Sequence, residues 1–147
     1  MTRVDFYLIP DVDLDARARF ACRICHRAYA LGNRVYVHTE STTAARSFDE
    51  LLWSYPPEGF MPHGRLGDAM AKGAPIVIGN TQDPETDADD VLINLTHDIV
   101  PFFGRFERLA EIVIQDEELR AQGRRNYKYY RDRGYPLFHH DIEDWRD

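Results

Sequence analysis

Residues 4–39, VDFYLIPDVDLDARARFACRICHRAYALGNRVYVHT, decide the fold class. The first six, VDFYLI, are rich in β-branched and aromatic side chains and run up to Pro10, which has no N–H to give to a ladder and closes a strand. From Asp13 to Leu31 the period changes. Ala18, Ala21, Cys22, Cys25, Ala28 and Tyr29 recur at helical spacing while Arg19, Arg23 and Arg27 repeat every four residues, which describes an amphipathic helix. Asp13 is placed to cap its start and Gly32 to stop it. RVYVHT at 34–39 is then a second strand. Two strands joined by a helix of this length with short links pair in parallel through a right-handed crossover, so the chain is of the α/β class.

The remaining sequence extends the pattern. Ser41 or Thr42 caps a second helix running to about Trp53. Residues 54–74 contain three prolines and four glycines and read as a loop with at most a short helical turn, whose apolar Phe60 and Met61 either fold back on the core or face a partner. PIVIG at 75–79 and VLINL at 91–95 are strands separated by the acidic link 80–90. A short helix interrupted near Gly104 is expected within 98–108, and AEIVI at 110–114 reads as the last strand. A final helix from about Asp116 to Arg133 carries Asp116, Glu117 and Glu118 in its first turn and basic residues later, which suits the helix dipole.

With 147 residues and 44% apolar composition, one domain over 1–147 is expected, with a core that needs no disulfide or structural metal. The start lacks a basic segment followed by an apolar one, and no apolar run approaches the roughly 20 residues that cross a bilayer, so a cytoplasmic protein without membrane contact is expected. A net charge of -7 argues against a general nucleic-acid-wrapping surface. The charge is unevenly distributed. Residues 119–133 hold Arg120, Arg124, Arg125, Lys128, Arg131 and Arg133 against Asp132 alone, +5 in total, leaving -12 for the rest. A basic stripe on an acidic body favours an acidic peptide over a long duplex.

Three constellations raise chemistry and fall short of it. Cys22, Cys25 and His26 lie mid-helix on the apolar face, whereas a redox pair needs an exposed helix N-terminus and a zinc site needs four ligands. Packed thiols are the expectation. Neither PDVDLDAR after the first strand nor GNTQDPE after the third contains a phosphate-cradling glycine motif, so no nucleotide cofactor is expected. His38, His97 and Asp98 follow strand ends, where α/β active sites gather; a nucleotide-binding enzyme would use them, but no activated nucleophile accompanies them. The final helix is chemically more specific. Arg120, Arg124, Lys128 and Arg131 fall along one side, with Tyr127 and Tyr130 beside them to line an apolar notch. Guanidinium forks match carboxylates, and Arg–Tyr interleaving is also compatible with stacking single-stranded DNA.

FYLI at 6–9, LLWSYPPEGFMPHGRLG at 51–67, GAPIVIG at 73–79, VLINL at 91–95 and RRNYKYYRDRGYPL at 124–137 together resemble the chi subunit family of bacterial DNA polymerase III. The resemblance runs through almost the whole chain. It implies a three-layer Rossmann-like fold with a mostly parallel central sheet, no cofactor and no catalysis. It further implies an adaptor that joins the clamp loader, through the psi subunit, to the acidic C-terminal tail of the single-stranded-DNA-binding protein. By position in the motif, Arg124 resembles the arginine that holds the tail's terminal carboxylate, Tyr127 and Lys128 its partners, Arg120 a further basic contact and Val113 an apolar one. Trp53 and Phe60 resemble the aromatic pair of a second surface, where psi or a repair helicase docks; direct DNA binding is expected to be weak or absent. Residues 139–147, HHDIEDWRD, read as an added acidic extension, and Asp141, Glu143 and Asp144 beside Trp145 suggest an internal mimic that shields the basic helix.

Overall fold

The computed structural model describes residues 1–55, 61–82 and 84–146. Strand β1 (Arg3–Leu8) leads into helix α1 (Leu14–Ala30), followed by β2 (Val35–His38), α2 (Thr42–Ser54), β3 (His63–Arg65), β4 (Ile76–Gly79), β5 (Val91–Asn94), β6 (Arg108–Val113), α3 (Glu117–Asp132) and β7 (Leu137–Asp141). The seven strands form one sheet in the order β3-β4-β2-β5-β6-β1-β7, with every neighbouring pair parallel. The expected α/β class and parallel sheet are therefore observed.

Each helix starts as its sequence directs. Asp13 Oδ1 accepts from Ala16 N at 2.8 Å, Ser41 Oγ from Ala44 N at 3.0 Å and Asp116 Oδ2 from Leu119 N at 3.1 Å, each satisfying one of the donors a helix start leaves open. Gly32 at φ 83° turns the chain out of α1.

Alternation along the strands divides the core in two. Val35, Val37, Ile76, Ile78, Ile93, Ala110 and Ile112 face α1 and α2, while Val4, Phe6, Tyr36, Val77, Leu92 and Leu109 face α3 and the connection that precedes β6. The result is three layers, helices over both faces of a buried parallel sheet. Cys22 and Cys25 are fully buried in the α1 layer, where burial raises both thiols, Cys22 to about 12. They are packed core thiols.

Two parts of the chain differ from expectation. The 54–74 segment contains a strand, β3, which pairs with β4, and a 3-10 turn at Ala69–Ala71. Three residues are too few to show a period-2 pattern, and Gly64 belongs in that strand because a Cβ there would come within 2.4 Å of the Ala71 backbone. The last strand is β7, which extends the sheet beside β1. Residues 139–141 are therefore sheet, and the chain beyond crosses to the α1 face. There Trp145 is 6% exposed, stands edge-on to Phe20 at 5.5 Å and donates from Nε1 to Asp11 Oδ1 at 2.8 Å. Since α3 covers the opposite face, Trp145 does not pack on the basic helix; it is a core residue of the α1 side. Among the described residues no helix is long and apolar enough to cross a membrane.

Candidate peptide-binding site on the last helix

Helix α3 rests on the sheet through a narrow strip. Tyr130 is fully buried: its ring meets Phe6 at 6.0 Å and Phe103 at 5.2 Å, and its hydroxyl donates to Glu111 Oε2 at 2.6 Å. Asn126, one turn earlier, donates to the His97 carbonyl at 3.2 Å and accepts from Gln122 Nε2 at 3.1 Å. Near the helix start, Gly123 lies directly over Val113: a Cβ at 123 would stand 3.2 Å from Val113 Cγ2. The missing side chain lets the helix backbone close onto the end of β6.

Glu111 lies beneath this strip and is held by Tyr130 and by Asn94 Nδ2, 3.2 Å from Oε2. Burial pushes its carboxyl up to about 7, partly opposed by the Tyr130 and Asn94 hydrogen bonds and by the nearby Arg17 charge. The seat of the basic helix is thus a polar network inside the core.

The outer surface of α3 sorts its cations into two groups. Arg131 pairs with Asp132 at 3.3 Å, Arg125 donates to Gln122, and Arg133 donates to the Tyr129 carbonyl while its guanidinium stacks 3.5 Å above the Tyr129 ring. Arg120, Arg124 and Lys128 are exposed and have no ion pair or side-chain hydrogen bond among the described residues. Their spacing of four places them in one line. Tyr127 is half-buried beside that line, its ring 5.2 Å from Phe6 in an edge-on contact. Val113 is 9% exposed below it.

The expected set Arg120, Arg124, Tyr127, Lys128 and Val113 is thereby brought to one surface. Tyr130 and Arg131 leave it, the first because its ring and hydroxyl point into the core, the second because it has an acidic neighbour. The crevice between Val113, Gly123 and Asn126 encloses about 20 Å³, far too little for an aromatic ring, so no ring-sized hole is preformed there.

Gly123 and His139 are additions to the sequence reading. His139 on β7 faces α3, with its ring 6.5 Å from Tyr127. A glycine inside a helix costs about 1 kcal/mol relative to alanine, and that anomaly was the available signal for Gly123. His139 had none, because β7 itself was not foreseen.

The other candidates lie apart. Trp53 at the end of α2 is 52% exposed, with its ring 4.7 Å from that of buried His63; Phe60 lies outside the described residues. His38 is buried edge-on against Phe102 at 5.2 Å, where burial lowers its pKa, while His97 Nδ1 is 3.4 Å from Glu40. The backbone carbonyls of His97 and Asp98 accept from Asn126 and Asn94. These residues support strand ends and α3; no bond among the described residues joins His38, His97 and Asp98 into a catalytic set.

The family model of the DNA polymerase III chi subunit, HolC, matches residues 1–138. This chain belongs to the DNA polymerase III chi subunit family. The chi subunit of Pseudomonas aeruginosa is 39% identical over 142 residues, covering 97% of this chain and 98% of that protein. That of Escherichia coli is 32% identical over 141 residues, covering 93% and 96% respectively. As a member of the chi family the protein is an accessory, non-catalytic component of the DNA polymerase III assembly. A match over 97% of 147 residues reaches past residue 138, so 139–147 is not wholly an appendage to the chi pattern. The fold alone is shared with the crystal structure of T4 UvsW, at TM-score 0.70 and 5% identity over 97% of this chain and 42% of that one.

Proposed function

We propose that this chi-family protein works in the cytoplasm as a tether, joining the clamp loader to the acidic C-terminal tail of single-stranded-DNA-binding protein through α3. The observation that carries this reading is the line of cations without internal partners among the described residues, Arg120, Arg124 and Lys128, beside half-buried Tyr127. Cations that lack internal anions are available to external ones, and guanidinium forks match carboxylates. In this arrangement Arg124 forks to the terminal carboxylate of the tail, while Lys128 and Arg120 attract its aspartates. The terminal aromatic ring lies against Tyr127 and the exposed edge of Val113 rather than in a deep socket. Trp53, with Phe60, is the proposed contact for psi or a repair helicase, an exposed indole on a rigid helix end being a good interface anchor.

The test is calorimetric titration of the chain with a synthetic acidic peptide ending in Pro-Phe, as free acid and as C-terminal amide. Binding of the free acid that weakens with salt, and loses about tenfold to hundredfold in affinity in Arg124→Ala, is the expected result. Equal binding of acid and amide, or full affinity in Arg124→Ala, overturns the assignment.

A further inference from the structure

On the face opposite α3, between the second half of α1 and the amino ends of β1, β5 and β6, lies a groove of about 740 Å³, within the range of small-molecule sites. Its walls are apolar on the helix side, from Phe20, Ile24 and Ala28, and on the sheet side, from Val91 and Ala110. Arg23 and Arg27, one turn apart on α1, and Arg108 at the start of β6 also line it. Asp5 is the sole carboxylate lining it among the described residues.

The electrostatics of the floor favour an anion. Buried Asp5 is shared by three basic side chains: Arg3 Nη2 at 3.0 Å, His140 Nε2 at 2.8 Å and Arg108 Nε at 3.5 Å. One carboxylate balances one guanidinium, so positive charge is left over, and Arg27 has no ion pair or side-chain hydrogen bond among the described residues. On a protein of net charge -7 this is a second concentration of cation, separate from α3. The floor is also aromatic: the Tyr7 and His140 rings stack on one another at 4.7 Å and 14°, with Phe20 tilted against Tyr7 at 5.6 Å. The Tyr7 hydroxyl makes no hydrogen bond among the described residues.

We propose that this groove binds a nucleotide unit, with its phosphate held by Arg27 and Arg108 and its base packed against the Tyr7–His140 aromatic pair. Several guanidinium groups at one rim suit the multiple oxygens of a phosphate, and aromatic rings suit a base of any identity. The site depends on side chains at the amino ends of the strands; it owes nothing to the glycine loops of dinucleotide-binding folds, which this sequence lacks. A free nucleotide and a nucleotide within a single strand carry the same chemistry, and the experiment separates them.

The ¹⁵N-labelled full chain is titrated with dAMP and, separately, with a 12-residue oligothymidylate, at low and high salt. Shifts centred on Tyr7, Arg27, Arg108 and His140, weakened by salt, are expected. Arg27→Glu should cost about tenfold or more in affinity, and a thermal melt of that variant reports its folding. Arg108→Gln, which leaves Asp5 bonded to Arg3 and His140, is the second variant and should also weaken binding. Arg124→Ala should bind as the unaltered chain does, so failure of the tail reading leaves this test intact. Response to dAMP supports a free nucleotide; response to the oligonucleotide alone supports a unit within a strand. No shift with either probe, shifts confined to α3, or displacement of either probe by the Pro-Phe peptide would overturn the proposal.

Discussion

Replacing Glu111 with glutamine should make the protein progressively more stable, relative to the unaltered chain, as the pH rises from mild acid to neutral. Burial raises the Glu111 carboxyl from an ordinary value near 4.5 to about 7, while the same group in the unfolded chain keeps its ordinary value. The folded state therefore holds the proton more tightly. Stability from this group is full below about pH 4.5, falls as pH rises and is lost by about pH 7, because ionisation then has to occur in the core. The displacement of the carboxyl from near 4.5 to about 7 corresponds to about 3 kcal/mol. Glutamine is uncharged at every pH but keeps only one of the two acceptor oxygens: with its carbonyl accepting from Asn94 Nδ2, its amide faces the Tyr130 hydroxyl, whose proton loses the acceptor it has in Glu111, a pH-independent cost of about 1 kcal/mol. Urea unfolding followed by far-ultraviolet circular dichroism, at a series of pH values from 4.5 to 8, gives the stability of both proteins. All other titrating groups are common to the two, and the difference isolates Glu111. The difference should grow in favour of Glu111→Gln by about 3 kcal/mol across that range. Curves that stay parallel would mean that Glu111 is solvated or charge-compensated in the folded state, and would refute the reasoning.

Other expectations follow from single contacts. Gly123→Ala should bring little net change, since a helix-propensity gain of about 1 kcal/mol is opposed by the 3.2 Å approach to Val113 Cγ2; in a Val113→Ala background the gain should reappear, a coupling read by a double-mutant unfolding cycle. Trp145→Ala should cost about 3–5 kcal/mol in urea unfolding and leave tail-peptide affinity unchanged, because the indole fills the α1 face and caps Asp11. Cys22 and Cys25 should resist an aromatic disulfide reagent at pH 8 in the native protein and both react in urea, since burial lifts their thiols well above that pH.

What could be read from sequence was set by local physics. Helices α1 and α2 announced themselves through capping residues, Asp13 and, of the pair Ser41 or Thr42, Ser41, while Asp116, expected in the first turn of α3, is its cap. Apolar runs such as VLIN, buried on both faces, could only be central parallel strands. What failed to show was nonlocal. β3 is three residues around a glycine whose smallness matters only because residues 70–71 fold back against it. β7, LFHHD, is an edge strand with polar residues, and nothing within it says that it will align with β1. Trp145 looked like part of an acidic tail because its partners, Phe20 and Asp11, are more than a hundred residues away in sequence. The site was legible in kind, as a basic helical stripe. Which cations remain available depended on details the spacing does not contain: Arg131 has Asp132 beside it, and Tyr130 is turned inward by a carboxylate on a different element.

The sheet also determines how the proposed contacts relate to one another. α3 lies over β6 and β1, whereas Trp53 ends α2 beside β3, at the far edge of the sheet and on its other face. From β3 to β6 there are four strand intervals of about 4.8 Å, close to 19 Å, and the thickness of a packed layer, about 10 Å, adds to that. Two partners of peptide or small-domain size bound at such points do not collide, and neither covers the charges that attract the other. A tether needs this property: it transmits a link only if both ends are held at once. The architecture therefore favours simultaneous engagement of the α3 line and the Trp53 surface over exchange between them. A partner docked at Trp53 should leave the affinity of an acidic tail peptide unchanged, because the helix that carries Arg124 is seated on Glu111, Asn94 and Val113, all of them distant from α2.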